Sequence, residues 1–396
     1  MNQTETAEAF RDRARAWLEQ NAEPRPTTAS DAVEVHVYLN VDLDTERENI
    51  ARAVEWHQKK LEAGFAAIDW AVEDGGQGLP NSFVQAFRTE EKHFATPDLH
   101  ETFIVTTGMI APSLRDFASS ALKEDLLEPM LTGSEMCAQL LSEPNAGSDL
   151  ASLSTRAVRH DDEWEVNGQK VWSSGAMIAK WGFLLARSDP DAPKHRGLTA
   201  FMVPLDTPGI EVRPLKQMTG GSSFNEVFLT DVLIPDSLRV GDEGQGWRII
   251  MAQLSYERSG TESWTAGGSY RQVRDLALGL GRESEPLVRQ QLARLYIGDR
   301  LIQWNAQRAS ASGNEGPPGA DANIGKLLYG LQMDLVTAAV SHLLGPALVV
   351  EANEHHVWAE HVTGTPAYHI AGGTNEVQRN ILGERFLGLP GEPQPN

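Results

Sequence analysis

The hydrophobic pattern of this 396-residue chain changes twice, and these two changes constrain its fold more than any other feature. Apolar residues recur at helical spacing through residues 7–131. Residues 136–240 instead show short runs of β-branched and aromatic residues separated by turn residues, as in a small barrel or sandwich. From residue 246 onward the helical spacing returns in long segments with short links, which is typical of a helical bundle. The pattern predicts an α+β multidomain protein in which helices flank a central β-domain.

Composition excludes several classes of partner and site. The chain has 34 basic and 55 acidic residues and a formal charge of −21, which argues against nucleic acid and anionic membranes as partners. No run approaches the ~18 apolar residues of a membrane span, and the polar N-terminus shows no signal or transit peptide. The single cysteine, Cys137, excludes an internal disulfide and a cysteine cluster for zinc, and no metal is expected. We therefore expect a cytoplasmic protein.

Two short pieces rich in small and hydroxylated residues follow predicted strands. The first, residues 141–149, leaves an apolar strand that begins at Cys137. The second, residues 170–176, comes after Asn167-Gly168, a pair that predicts a two-residue hairpin turn because both residues tolerate a positive φ. Hydroxyls and exposed amides suit a polar, ring-shaped ligand, on which the indole of Trp172 is able to stack. Residue types alone leave a second interpretation open, an ordinary turn beside a core tryptophan.

Together these pieces form a specific signature. The pattern Ser142-Glu143-Pro144-x-x-Gly147-Ser148-Asp149, followed by Lys170-x-Trp172-x-Ser174, resembles the flavin segment of the acyl-CoA dehydrogenase family. The resemblance covers essentially the whole chain. It implies FAD as the cofactor. It also implies an N-terminal α-helical domain (residues 1–135), a middle β-barrel (136–243) and a C-terminal four-helix bundle (244–396).

The resemblance implies roles for individual residues of the flavin segment. Trp172 is expected against the flavin ring, Ser142 near its pyrimidine edge and Ser174 near N5. Ser148 matches a family residue near the CoA arm, so we expect it to contact the substrate. The full set of expected cofactor contacts in this segment is Leu141, Ser142, Trp172, Ser173 and Ser174.

Glu257 is the candidate catalytic base. The predicted helix before it carries an apolar stripe at positions i, i+3, i+4 and i+7, formed by Trp247, Ile250, Met251 and Leu254. Glu257 continues that face, where a carboxylate is costly unless it is paired or neutral. The position indicates an ion pair, a helix end that has reached solvent, or a general base whose pKa is raised by an apolar site.

The family resemblance favours the general base. In most acyl-CoA dehydrogenases the base precedes a Gly-Thr pair near the C-terminus, but this chain has Gly372 there. In the isovaleryl and long-chain members the base lies instead on the earlier helix, before an arginine, and Glu257-Arg258 matches that arrangement. The resemblance implies that Glu257 takes the α-proton of an acyl-CoA thioester, while Arg258 orients the site and contacts the substrate.

The C-terminal motif around Gly372 implies the rest of the chemistry. By resemblance, the Gly372 N–H and a flavin ribityl hydroxyl stabilise the enolate oxygen, a role that survives the loss of a side chain. Thr374 is expected to contact the flavin, and Glu376 is expected beside the flavin or at a helix N-terminus, where acidic residues are favoured. The implied reaction is α,β-dehydrogenation to the trans-2-enoyl-CoA, with the β-hydrogen leaving as hydride to flavin N5.

Two family motifs that hold the flavin diphosphate of a neighbouring subunit are absent. Residues 276–285 lack the Arg-x-x-Phe-Gly segment, and residues 341–347 replace Gln-x-x-Gly-Gly-x-Gly. We therefore predict an α₂β₂ heterotetramer in which a related, dehydrogenase-like subunit supplies the missing contacts. Such pairs resemble actinobacterial dehydrogenases for bulky acyl-CoAs such as steroid side chains. A homo-oligomer that holds the diphosphate with other residues is the alternative.

Three functions remain open from the sequence. The first is a dehydrogenase that passes electrons to an electron-transfer flavoprotein, and the second is an acyl-CoA oxidase or related flavin oxygenase. Oxidases are often much longer chains, which favours the dehydrogenase. The third is a catalytically silent subunit of a heteromer. Gly372 supports the third function, whereas Glu257 and the intact Trp172-Ser173-Ser174 argue against it.

Overall fold

The computed structural model describes residues 5–25, 41–97, 99–259, 269–311, 320–350 and 356–391. The chain forms two compact units. The first contains the N-terminal helices and the described strands, and it continues to Gln253; the second contains the helices that follow. The predicted order of helices, strands and helices is confirmed.

The first unit begins with six helices. They are α1 (Ala7–Asn21), α2 (Leu43–Glu62), α3 (Asn81–Glu91), α4 (Glu101–Val105), α5 (Ala111–Phe117) and α6 (Ser120–Thr132). Thr6 caps α1 by accepting from the Ala9 N–H at 3.2 Å, and Asp42 caps α2 by accepting from the Thr45 N–H at 2.8 Å. The buried faces of α1, α2 and α3 meet in an aromatic cluster, in which Phe10 lies 5.0 Å from Phe83 between ring centroids. Burial of this apolar face stabilises the helical part of the unit.

The middle of the chain forms an eight-stranded mixed sheet beside a small two-stranded one. The small sheet pairs β1 (Glu23–Pro24) with β2 (Phe94–Ala95). The large sheet contains β3 (Cys137–Leu140), β4 (Arg156–His160), β5 (Glu163–Ser174), β6 (Trp181–Arg187), β7 (Leu198–Pro204), β8 (Ile210–Pro214), β9 (Phe224–Pro235) and β10 (Arg239–Val240). Its order is β10-β7-β6-β4-β5-β9-β8, and β3 pairs in parallel with β6. A cluster of buried apolar residues that includes Trp164, Phe201 and Val227 supports the sheet.

The predicted hairpin turn at Asn167-Gly168 is wrong. Strand β5 runs straight through both residues, and the turn lies at Asp161-Asp162, where Asp161 has φ 52°. Gly168 serves a close approach instead, because a Cβ there would lie 2.3 Å from Thr155 Oγ1. The Asn167 side chain is also engaged, since its Oδ1 accepts from the Asp231 N–H at 2.8 Å. The pair marks an irregularity in a long strand, where a glycine permits tight packing.

Helix α7 (Gly246–Ser259) carries the chain out of the first unit. Ile249, Ile250 and Gln253 are buried in the described part of this helix, whereas Met251 is 38% exposed, so the predicted stripe is wrong in its details. Gln253 enters the core because its side chain has partners: its Oε1 accepts from Gln139 Nε2 at 2.6 Å. Glu257 follows Gln253 by one helical turn, the spacing that returns a residue to the same face.

The second unit is a set of helices around an apolar core. They are α8 (Ser269–Gly279), α9 (Pro286–Ala311), α10 (Ala320–Leu344), α11 (His356–Gly364) and α12 (Asn375–Ile381). The segment Asn323–Val349 is long and apolar enough to span a membrane by length and composition. It contains an 18-residue window with a mean hydropathy of 1.3, and half of this window is buried. Buried α10 residues such as Met333 and Val336 pack in the core of the unit, which explains the apolar composition.

Candidate active site

Two neighbouring residues of β5 hold the loop that follows β3. The Val171 N–H donates to the carbonyl of Ser142 at 2.9 Å. Lys170 Nζ donates to the carbonyl of Leu141 at 3.0 Å. The structure therefore brings the two pieces of the signature together and fixes Leu141 and Ser142 next to the end of β5.

A buried ion pair anchors this junction. Lys170 is fully buried, and its Nζ lies 2.9 Å from Oε1 of Glu143, whose side chain is 5% exposed. The Glu143 carboxylate also accepts from the Ser154 N–H at 2.7 Å, the Ser154 hydroxyl at 2.8 Å and the Thr155 N–H at 2.8 Å. Four donors therefore bond to this carboxylate, and they replace the hydrogen bonds to water that it loses on burial.

Both partners of this pair are charged at neutral pH. Burial of Glu143 favours its neutral form, but the charge of Lys170 and the hydrogen bonds outweigh burial and lower the pKa of Glu143 to about 2. Burial lowers the pKa of Lys170 to about 8, and the facing carboxylate limits this shift. Glu143 therefore stabilises the fold above its unfolded pKa near 4.5, and this contribution is lost as the pH falls towards about 2.

Trp172 is displayed by an irregularity in β5. The pairing with β9 shifts register between Lys170 and Ser173, so one extra residue bulges out of the strand. Trp172 occupies the bulge with φ 63°, a left-handed conformation that is uncommon for a bulky residue. Its indole is 58% exposed and meets Phe224 edge-on at 5.8 Å. A large ring held outward in a strained backbone conformation points to a ligand surface.

The residues after Trp172 return to the interior. Ser173 is buried, and its Oγ has no partner among the described residues, while Ser174 is half-buried. Gly175 follows with φ 64°, and its N–H donates to the Ser223 carbonyl at 2.8 Å. The Ser223 hydroxyl donates in turn to the buried carboxylate of Glu46. This end of β5 is thus fixed from two sides, with one buried hydroxyl left over.

The far end of the loop is open to solvent. Gly147, Ser148 and Asp149 are exposed, and a Cβ at Gly147 would meet nothing within 4 Å. Asp149 pairs with Lys194 at 2.5 Å. Ser148 is therefore accessible to a ligand, as its predicted substrate contact requires.

The second unit carries the other predicted residues. Glu257 and Arg258 lie in the last turn of α7, and their side chains fall outside the described residues. Gly372 lies in a loop with φ 64°, a conformation that glycine adopts without strain. No hydrogen bond in the described part of the chain uses its N–H.

Thr374 and Glu376 lie at the start of α12. Thr374 caps this helix by accepting from the Val377 N–H at 3.2 Å. Glu376 stands exposed in the first turn, where its charge favours the helix dipole. Glu376 therefore lies at a helix N-terminus, one of the two positions that the sequence left open for it. Contact of Thr374 and Glu376 with a flavin stays a prediction.

The segment without the diphosphate motif has a single arginine, which serves its own subunit. Arg282 Nη1 donates to the carbonyls of His342 at 3.0 Å and Leu343 at 2.7 Å, at the end of α10. Its other nitrogens donate to Glu285 at 2.7 and 2.8 Å. Carbonyls at a helix C-terminus lack partners within the helix, and Arg282 satisfies two of them. The Arg282 guanidinium is occupied within the bundle.

Three domain families cover nearly the whole chain. They are the acyl-CoA dehydrogenase N-terminal domain at residues 4–134, the middle domain at 138–232 and the C-terminal domain at 244–387. The chain belongs to the acyl-CoA dehydrogenase family. It is therefore an oxidoreductase of a flavoprotein family.

Similar proteins agree with this assignment. Acyl-CoA dehydrogenase IpdE1 of Mycobacterium tuberculosis is 36% identical to this dehydrogenase over 354 residues, covering 88% of this chain and 90% of that one. The solved steroid ACAD Tcur3481-Tcur3483 matches at 27% identity and a TM-score of 0.76 over 98% of each chain. The ChsE4-ChsE5 complex of M. tuberculosis matches at 26% identity and a TM-score of 0.74, covering 99% of this chain and 100% of that one.

The residues of the dehydrogenase that lie near the signature fit a flavin. A flat ring system requires an aromatic or apolar contact and polar groups at its edge. Trp172 presents an exposed indole, and Ser173 holds a buried hydroxyl without a described partner.

Sequence reasoning missed the ion pair that supports these residues. Glu143 and Lys170 stand inside the signature, but only their side-chain contacts show that they join its two pieces. Valines on both sides of Lys170, at Val166 and Val171, were the available signal, because a lysine in an apolar strand requires a partner.

Removing Lys170 is expected to destabilise the dehydrogenase strongly. Lys170→Met leaves the Glu143 carboxylate buried without its counter-charge, which costs about 3–5 kcal/mol in the free energy of unfolding. The matched control is Lys180→Met, because Lys180 pairs with Glu135 but is 59% exposed, so its loss costs less than about 1 kcal/mol. Denaturant unfolding of both variants measures the difference. Equal losses contradict the anchoring role of the pair.

Proposed function

We propose that this chain catalyses the α,β-dehydrogenation of an acyl-CoA thioester with FAD as its cofactor. The observation that carries the proposal is the exposed Trp172, held in a left-handed bulge beside the Lys170–Glu143 pair. The family match over nearly the whole chain supports the same reaction class. Bound FAD supplies the acceptor for the β-hydride.

The chain's own residues would bind and orient the reactants. Leu141, Ser142, Ser173 and Ser174 would contact the flavin, with Trp172 against its ring. Ser148, exposed on the open end of the loop, would contact the CoA arm. Cytoplasmic location stays a prediction.

Glu257 would remove the α-proton. Gly372 has no side chain and cannot serve as a base, so a carboxylate on α7 must do so if the chain is active. Glu257 precedes Arg258 on this helix, as in the family members whose base lies there. A carboxylate in that role requires surroundings that raise its pKa towards the working pH. The Gly372 N–H would donate to the thioester oxygen as negative charge develops there.

We further propose that the enzyme works as an α₂β₂ heterotetramer with a related subunit. Both diphosphate motifs are missing, and Arg282, the one arginine of residues 276–285, is bound to Glu285 and to the end of α10. A partner chain would therefore supply these contacts. Two similar solved structures, Tcur3481-Tcur3483 and the ChsE4-ChsE5 complex, each name two chains.

The substrate would be a bulky acyl-CoA, and an electron-transfer flavoprotein would accept the electrons. The similar structure Tcur3481-Tcur3483 is a steroid acyl-CoA dehydrogenase, which supports a polycyclic acyl group. A panel of acyl-CoAs of increasing size, assayed with a dye acceptor, measures this preference.

Replacing the proposed base is expected to abolish turnover without changing flavin content. Glu257→Gln removes the proton acceptor while preserving size, so kcat falls by about 10²–10⁴-fold. Glu243→Gln makes the same chemical change in the exposed turn before α7 and retains the wild-type rate. Exchange of the substrate α-hydrogen with D₂O is lost together with turnover. Wild-type turnover in Glu257→Gln contradicts the assignment.

The heterotetramer is expected to form on co-expression. A related dehydrogenase-like chain that carries both diphosphate motifs should co-purify with this chain as an α₂β₂ complex. Native mass spectrometry measures the composition. A homo-oligomer that excludes every such chain contradicts the proposal.

A further inference from the structure

We propose that His369 and Asn375 form a clamp that positions the Gly372 N–H for its role at the thioester oxygen. This inference rests on the function proposed above. The clamp joins the two ends of the loop formed by residues 370–374, which contains Gly372 and Gly373. Both residues of the clamp are positioning residues, because they act through the loop backbone.

The loop needs an external constraint. Gly372 and Gly373 both have positive φ, at 64° and 85°. A glycine permits many backbone conformations, so the direction of the Gly372 N–H is poorly fixed by the backbone itself. A donor that stabilises developing charge must be oriented in advance to be effective.

The clamp is a direct hydrogen bond across the loop. Asn375 Nδ2 donates to His369 Nδ1 at 2.6 Å, so the residue before the loop is tied to the residue after it. Asn375 is buried, at 5% exposure, so this amide has little access to water. An unpaired buried amide would be costly, which makes the contact strongly favoured.

Two residues of α10 fix the chemistry of this hydrogen bond. Lys326 Nζ donates to Asn375 Oδ1 at 2.9 Å, which forces the amide NH₂ to point at His369. Burial lowers the pKa of Lys326 to about 8, so its ammonium remains protonated at pH 7. His369 Nδ1 must then accept, and its proton lies on Nε2, which donates to Asp334 Oδ1 at 2.9 Å.

Gln378 constrains the other side of the loop. Its Nε2 donates to the Gly372 carbonyl at 2.9 Å and to the Gly373 carbonyl at 3.4 Å. Gln378 is fully buried, and a Cβ at Gly373 would lie 2.7 Å from its Nε2. The loop is thus held by its carbonyls on one side and by its ends on the other, which leaves the Gly372 N–H for a ligand.

Two substitutions of His369 separate its hydrogen bond with Asn375, which is the clamp, from its contact with Asp334. His369→Asn places an acceptor oxygen near the position of Nδ1 and preserves the bond from Asn375. His369→Gln places its amide near Nε2, preserves the contact with Asp334 and leaves Asn375 Nδ2 unpaired. His342→Gln is the control, since His342 has similar exposure in the same unit and lies 3.8 Å from Glu285.

We expect His369→Gln to lower kcat by about tenfold with little change in KM, because the lost orientation matters only in the transition state. His369→Asn and His342→Gln keep kcat within about threefold of the wild type, as expected when no buried group is left unpaired. Binding of acetoacetyl-CoA gives a readout without turnover, since this acidic thioester can bind as its enolate. Its affinity for the flavin-loaded enzyme should fall about tenfold in His369→Gln only.

The results for the Glu257 and His369 variants test the clamp separately from the proposed function. If Glu257→Gln is inactive but His369→Gln matches the wild type in kcat and acetoacetyl-CoA binding, the function stands and the clamp is overturned. Equal losses in His369→Asn and His369→Gln also overturn the clamp, because His369→Asn keeps the bond from Asn375. A loss confined to His369→Asn overturns it as well, because it assigns the effect to the contact with Asp334. If Glu257→Gln retains turnover, only the assignment of the base fails, and acetoacetyl-CoA binding still tests the clamp. If the wild-type enzyme with FAD and its partner chain dehydrogenates no acyl-CoA, the proposed function itself fails.

Discussion

The site depends on one buried ion pair, between Lys170 and Glu143. A fully buried ammonium and a carboxylate with 5% exposure would each be costly alone, but together they join β5 to the loop after β3. The neighbouring Val171 N–H adds a backbone hydrogen bond to Ser142. With both ends of the junction fixed, the strand tolerates the bulge that turns Trp172 outward. The outward position of Trp172 therefore depends on the charge buried two residues earlier in the strand, at Lys170.

Residue pattern predicted the order of domains and most helices and strands, because helical and strand periodicities report directly on buried faces. Predictions from local residue types were wrong where tertiary contacts determine the structure. Asn167-Gly168 has the composition of a hairpin turn, yet Thr155 leaves no room for a Cβ at Gly168, and β5 continues. Likewise, Met251 has the spacing of a core residue, but the polar Gln253 enters the core because Gln139 pairs with it. Neither the close contact of Gly168 with Thr155 nor the hydrogen bond between Gln139 and Gln253 is visible in a single sequence.

Each unit contains residues with proposed roles. Trp172 belongs to the first unit, and Glu257 and Gly372 belong to the second. Loss of a side chain at Gly372 removes the usual base but keeps a backbone donor, whose direction then depends on His369, Asn375 and Gln378. Arg282, in contrast, has a charged side chain, but its guanidinium is hydrogen-bonded to a carbonyl at the end of α10. The chain thus keeps the flavin-segment signature but lacks both family motifs that hold a neighbour's diphosphate.

The most direct test of this account is the flavin content of the chain expressed alone. After gel filtration, the visible spectrum and the protein concentration give the amount of flavin per polypeptide. For the isolated chain we expect a flavin content well below one per polypeptide. Co-expression with a related chain that carries both diphosphate motifs should restore it. Stoichiometric flavin in a homo-oligomer of this chain alone would contradict it.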